Sequence, residues 1–135
     1  MNSCDSNHYS TRLVSGILVD ADRVLLGLRK NTKEFDRFWS LPVGHVETNE
    51  TDLAAIKREL LEELGIDAIK ITEYCVKIDK VKSIYHQVYK VIHWNGDVEN
   101  REPELCESLD WFPINQLPQN TTEVTRKILI ETDVF

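Results

Sequence analysis

Gly44-His45-Val46-Glu47-Thr48-Asn49-Glu50-Thr51-Asp52-Leu53-Ala54-Ala55-Ile56-Lys57-Arg58-Glu59-Leu60-Leu61-Glu62-Glu63-Leu64-Gly65-Ile66 is the stretch whose reading decides the fold. From Asn49 to Leu64 the pattern is helical, with Leu53, Ile56, Leu60 and Leu64 recurring at spacings of three and four to form an apolar stripe. Asn49 or Thr48 can cap the start, Glu50 and Asp52 suit the positive end of the helix dipole, and Gly65 stops the helix. Glu59, Glu62 and Glu63 are related by i, i+3 and i+4, so the three carboxylates share one face beside the stripe. Like charges so spaced weaken a helix by a few tenths of a kcal/mol. Exposed glutamate clusters paired with Lys57 or Arg58 are common, but hard divalent ions prefer carboxylate oxygen and give such a cluster a purpose.

Outward from this helix the chain alternates strand signals with turns. Leu13–Val19 and Val24–Leu28 read as a hairpin around Asp20-Ala21-Asp22, and Asn31–Arg37 as a loop. Phe38–Pro42 approaches a turn at Val43-Gly44-His45. Ile69–Ile78 and Ile84–Trp94 read as long strands, Asn95-Gly96-Asp97 as a turn, Asn100–Ser108 as an acidic loop and Leu109–Phe112 as a short strand. Pro113–Leu117 is read as a helical turn, and Thr121–Thr132 as a second helix with Val124, Ile128 and Leu129 inward. This is an α+β chain: a mixed sheet sandwiched between helices.

Composition bounds the function. The 135 residues suit one domain, 10–135, after a polar lead at Met1–Tyr9 with no hydrophobic signal core. No apolar run approaches the roughly 18 residues of a membrane span, so cytoplasmic residence is the expectation. The net charge is −7, from 23 acidic and 16 basic residues, and no basic stripe appears, which disfavours a nucleic acid polymer as partner. Cys4, Cys75 and Cys106 form no CxxC pair, which argues against zinc and against a disulfide framework; Cys75 is read as a buried small hydrophobe.

The spacing of Gly44, Glu50, Arg58-Glu59-Leu60, Glu62-Glu63 and Gly65-Ile66 resembles the Nudix box at every specified position, and Trp39-Ser40-Leu41-Pro42 and His45-Val46-Glu47 also look like that family. The resemblance implies a Nudix-type α/β/α sandwich that hydrolyses a phosphoanhydride bond in a nucleoside-diphosphate-linked substrate. By position, it makes Glu59, Glu62 and Glu63 metal ligands, with Glu59 or a neighbour orienting or deprotonating water. Arg58 would orient a glutamate and Glu50 would hold Arg58. The cofactor implied is Mg²⁺, with Mn²⁺ as the alternative. Members of the family usually carry a second glycine where this chain has Val43; its backbone carbonyl can still bind metal, provided the loop does not demand a positive φ.

The segment Glu102–Trp111, followed by Leu117-Pro118, resembles MutT-like enzymes that convert oxidised guanine nucleoside triphosphates to monophosphates. Asp79–Ser83 lacks the proline and the tyrosine that mark the ADP-ribose and diadenosine polyphosphate branches. On this resemblance Glu104 is assigned as a further metal carboxylate, with Glu107 second. Asn120, Thr121, Tyr85 and His45 are assigned to the substrate, with a helix cap as the alternative for Asn120. Trp111 is read as core, His86 as a structural histidine with a place facing the pocket as the alternative, and Phe35 and Phe38 as one wall of the site. The partner is a small nucleotide, and the chain a monomer or homodimer. Competing readings are a Nudix hydrolase of a nucleotide sugar or dihydroneopterin triphosphate, and a non-catalytic nucleotide sensor.

Overall fold

The computed structural model describes residues 6–131, so Cys4, most of the polar lead and the end of the second helix at Thr132 lie outside the described residues. The elements are β1 (Thr11–Asp20), β2 (Arg23–Arg29), β3 (Trp39–Ser40), β4 (Val43–His45), α1 (Asp52–Leu64), β5 (Asp67–Asp79), β6 (Ile84–Asn95), β7 (Cys106–Pro113) and α2 (Glu123–Glu131). Short 3₁₀ turns occupy Ser6–His8 and Ile114–Gln116, the latter where the helical turn after Pro113 is expected.

β1 organises the sheet. It runs parallel to β6 from Thr11↔Ile84 to Leu18↔Val91, and antiparallel to β4 along its other edge, Leu13↔His45 to Ser15↔Val43. Only at its end does it meet β2, at Val19↔Val24 and Asp20↔Arg23. β2 then departs with β7 and β3 as partners, while β5 completes the far edge beside β6. The expected hairpin therefore exists but splits within two residues of its turn, and the two branches open a gap next to β4.

Both faces of β1 are covered, which is why its sequence is nearly continuously apolar rather than alternating. Val14 and Leu18 join Ile56, Leu60 and Leu64 of α1, together with Leu25, Tyr89 and Val91. Ile17 points the other way, to Ile128 and Leu129 of α2, with Val24, Leu26, Leu41 and Val88. The result is the α/β/α sandwich with a mixed sheet. Trp111 packs partly buried against the α1 core, and Trp39 meets Phe112 edge to face at 4.9 Å on the α2 side.

Several local expectations change. Val43–His45 is strand β4 rather than a turn, because β1 offers it an open edge. α1 starts at Asp52, capped by the Thr51 hydroxyl, which accepts from the Ala54 N–H at 3.1 Å. Asn49 and Thr48 cannot serve: Asn49 adopts φ 66° in a turn closed by the Glu50 N–H on the Glu47 carbonyl. Leu53 and Val124 are exposed, and Ala55 and Thr125 take their buried places, each stripe being rotated slightly from the apolar tally. β7 begins at Cys106, inside the expected acidic loop, and Cys75 is half-buried; both are free thiols.

Gly65 ends α1 in the left-handed region at φ 72°, its N–H on the Leu61 carbonyl, and a Cβ there would collide with the Arg101 guanidinium. Gly65→Ala is expected to cost roughly 1–2 kcal/mol, from the left-handed backbone alone. Urea denaturation measures it, and an unchanged midpoint would contradict this account of the helix end.

Candidate active site

The gap beside β4 is a cleft of about 360 Å³. Arg29 of β2, Ser40 of β3 and Val43, Gly44 and His45 of β4 form one side. Glu59 and Glu63 of α1 enter from the other, and Asn100, Glu102, Leu105 and Cys106 close the end. Gly44 is required by close approach: a Cβ there would land on the Glu59 carboxyl group. Val43 is not among the described residues with positive φ, so valine is accommodated as ordinary strand backbone.

Arg58 holds the site together. Its Nε donates to Glu50 Oε2 at 2.8 Å and its Nη2 to Glu50 Oε1 at 3.0 Å, a bidentate pair. Nη2 also donates to the His45 carbonyl at 2.9 Å, and Nη1 donates to Glu59 Oε1 at 2.9 Å and Glu62 Oε1 at 3.1 Å. One guanidinium thus ties the loop before α1, the end of β4 and two of the three helix carboxylates. The hydrogen bond to Arg58 is the main cause holding the Glu50 carboxyl down to about 2, and Glu50 in turn makes Arg58 keep its proton more tightly.

The three helix carboxylates are not equivalent. Glu62 is exposed at the rim and does not line the cleft. Glu59 and Glu63 face inward, and burial, followed by a hydrogen bond to Glu59, pushes the Glu63 carboxyl well above the ordinary carboxylate range. The protonated form of Glu63, hydrogen-bonded to Glu59, is favoured accordingly. Nearby negative charge on Glu102 adds to the effect. Glu102 is itself raised, by burial and then by Glu59, Glu104 and Glu62.

Among the described residues no three carboxylate, histidine or cysteine side chains already surround one point, because Glu59 and Glu62 are turned to Arg58. The donor chemistry nevertheless fits a hard divalent ion: the inward groups are carboxylate oxygens, and the charge of one of them, Glu63, is disfavoured first by burial and then by its acidic neighbours. Cys106, the thiol in the cleft, is pushed up by burial and by Glu63 and Glu102, which makes it a poor ligand at neutral pH.

The remaining sequence-assigned residues scatter. Of the loop acids it is Glu102, not Glu104, that lines the cleft; Glu104 offers its backbone carbonyl to Asn31, and Glu107 pairs with Arg37 at 3.1 Å. Asn120 donates its amide to the Arg37 carbonyl at 2.8 Å, and the Thr121 hydroxyl donates to the Pro118 carbonyl at 2.7 Å. Neither lines the cleft, nor does Asn120 cap α2, whose first turn is met by the Thr122 hydroxyl. Tyr85 is buried and lies against Tyr9 at 5.5 Å, away from the cleft. His45 does line it. Sequence reading missed Glu102 and Arg29. Glu102 was visible only as one acid in an acidic loop, and Arg29 only as the end of a strand.

The profile of the NUDIX domain matches residues 10–131. Among solved structures, a MutT NUDIX hydrolase from Burkholderia pseudomallei superposes with a TM-score of 0.80 at 34% identity, covering 88% of this chain and 95% of that one. An 8-oxo-dGTP diphosphatase of Buchnera aphidicola subsp. Schizaphis graminum is 27% identical over 108 residues, 79% of this chain and 80% of that protein. An RNA pyrophosphohydrolase of Francisella tularensis subsp. mediasiatica is 28% identical over 149 aligned positions, covering 93% of this chain and 94% of that protein.

The raised Glu63 carboxyl sets a pH dependence whose sign is opposite to that of Glu50. In the unfolded chain Glu63 loses its proton near 4.5, while the folded chain keeps it. Its contribution is therefore fully present below that value and drains away as pH rises. Glu50 stabilises the fold above its unfolded value and loses that contribution as pH falls toward 2. In chelator, the melting temperature is expected to fall from about pH 5 to about pH 9, and Glu63→Gln to flatten that decline. Circular dichroism melts decide it; a flat wild-type profile would count against the buried, protonated carboxyl.

Proposed function

The chain belongs to the Nudix family, as a pyrophosphohydrolase acting on phosphoanhydrides, and we propose that its substrate is a nucleoside triphosphate, cleaved to the monophosphate and pyrophosphate with Mg²⁺ as cofactor. An oxidised purine nucleotide such as 8-oxo-dGTP falls within this class. The carrying observation is the convergence of Glu59, Glu63 and Glu102 on one cleft, where burial and the neighbouring carboxylates disfavour the charged form of Glu63. Members of the family generally use divalent metal ions.

Glu59, Glu63 and Glu102 in the cleft, Glu62 from its rim and the Val43 carbonyl are the proposed ligands; Glu104, on a backbone held by Asn31, is left as an outer charge on Glu102. A divalent ion held there would screen the phosphates and acidify a water bound to it. Arg58 keeps the Glu59 carboxylate in a fixed orientation, so its lone pairs need no reorganisation when a proton must be accepted from water. Glu50 holds the Nε–Nη2 edge of Arg58, and the His45 carbonyl accepts from the same Nη2. Arg29, at the mouth of the cleft, is positioned to offset phosphate charge.

A second reading, pyrophosphate removal from RNA, is favoured by the relative of that name, which aligns along almost the whole chain. The acidic charge and the missing basic stripe weigh against it. Turnover of 8-oxo-dGTP, dGTP, dCTP, ADP-ribose and a 5′-triphosphorylated RNA, measured side by side with Mg²⁺, separates the readings. The nucleotide arm is expected to lead, and preferential turnover of ADP-ribose or RNA would overturn it.

Glu63→Gln is expected to lower kcat by about a hundredfold or more while the fold persists, since it removes a metal oxygen without removing volume. Near-wild-type turnover in a folded Glu63→Gln protein would refute the metal role.

A further inference from the structure

A second cavity, of about 370 Å³, lies on the α2 side of β4 and shares Arg29, Ser40, Val43, Gly44 and His45 with the carboxylate cleft. The two are therefore neighbouring compartments of one groove, and this volume is in the range of roughly 300–1,000 Å³ that small-molecule pockets occupy. The walls of the second are apolar, with Leu13, Leu41, Ile84 and Ile128 inside and Phe35 at the edge. It has none of the buried carboxylates of the first. Its Thr122 and Thr125 hydroxyls are committed to each other and to the Leu41 N–H.

Ser15 and His86 stand apart in this lining. They sit two registers from one another on the parallel strands β1 and β6, Leu13 lying opposite His86 and Ser15 opposite Val88. Their side chains meet diagonally, Ser15 Oγ to His86 Nε2 at 2.6 Å, with Ser15 1% and His86 7% exposed. Ser15 is the one hydrogen-bond partner of the imidazole among the described residues, and the second ring nitrogen is not a sealed, unsatisfied atom. It is left for whatever enters the cavity.

We propose that the Ser15–His86 pair reads the edge of an uncharged planar group, the base of the nucleotide, as an exchangeable donor or acceptor, and so makes the pocket tolerant of both keto and amino edges. This deepens the nucleoside triphosphate reading above and rests on it. A serine hydroxyl can donate or accept, and a neutral imidazole can carry its proton on either nitrogen. When the ligand presents a carbonyl, the free nitrogen carries N–H and the Ser15 hydroxyl donates to Nε2. When the ligand presents an amino group, the free nitrogen accepts and Nε2 donates to Ser15 Oγ. Both states are neutral, and burial keeps the imidazole so by holding it down to about 4. A fixed donor such as an ammonium would instead leave one class of base with an unpaired buried polar group, which is how strict pockets discriminate.

The test compares dGTP with dATP, keto edge against amino edge, in wild type, Ser15→Ala and His86→Leu, and follows the imidazole ¹⁵N resonances of metal-free wild type titrated with dGMP and dAMP. The wild-type kcat/KM values are expected to lie within about tenfold of each other. Ser15→Ala, which leaves His86 Nε2 unpaired in either tautomer, should raise KM for both nucleotides by about tenfold, with kcat held. dGMP should move the His86 resonances toward the N–H form of the free nitrogen and dAMP toward the lone-pair form. KM values unchanged within about twofold for both nucleotides in both variants, or His86 resonances indifferent to both nucleotides, overturn the proposal. If wild type turns over neither triphosphate, the functional reading fails separately, while the monophosphate titration still decides the role of the pair.

Discussion

One guanidinium fixes the relation between the helix of acids and the strand beside it. Arg58 grips Glu50 with two nitrogens, the His45 carbonyl with one of them again, and Glu59 and Glu62 with the third. The pairs are mostly sheltered from water, with side-chain exposures of 23% for Arg58, 15% for Glu50 and 16% for Glu59. At such burial, losing one partner strands the other charge, which typically costs several kcal/mol. The same contacts hold Glu59 against Gly44, where no side chain other than hydrogen fits. Stability and site geometry are consequently written into the same few atoms.

The cleft itself follows from the way β1 divides its partners. An edge that pairs with β2 only at Val19 and Asp20 and with β4 only from Leu13 to Ser15 cannot keep both branches in one plane. The branches part, and the space between them is lined by backbone and by residues from five elements, β2, β3, β4, α1 and β7. α1 fills one side with charge, while α2 and the segment anchored by Trp39 and Thr122 cover the other with apolar and hydroxyl groups. Two compartments of different chemistry thus lie on either side of β4. That is the arrangement needed by a substrate with a polyanionic end and an uncharged one.

The cost of this arrangement is carried by Glu63. It is partly buried among like-signed groups, where its charged form is disfavoured by the surroundings and by its neighbours. A core assembled for stability alone would have an apolar residue there. Local frustration of this kind sits where the rest of the fold, two apolar layers against a covered sheet, is internally consistent.

The sequence by itself determined the helix, its acidic face, the two long strands and the family, because each is written in local periodicity or in a fixed spacing from Gly44 to Ile66. It also placed Glu59, Glu62 and Glu63 on one helical face. It did not separate them, because periodicity gives an angle around a helix and not what stands opposite: only the packed structure exposes Glu62 and turns a partly buried Glu63 into the cleft. The same blindness misassigned β4 as a turn, since three residues become a strand only when a neighbour offers an edge. It chose Glu104 over Glu102, two acids in one loop whose directions are set by the backbone path from Asn100 to Cys106. It assigned Tyr85 to the substrate and left His86 between a structural place and one facing the pocket, because adjacent residues on a strand face opposite sides and only the placement of α1 and α2 says which side the cavity is on. Spacing along the chain fixed which groups are available; the division of β1 between its partners decided which of them meet.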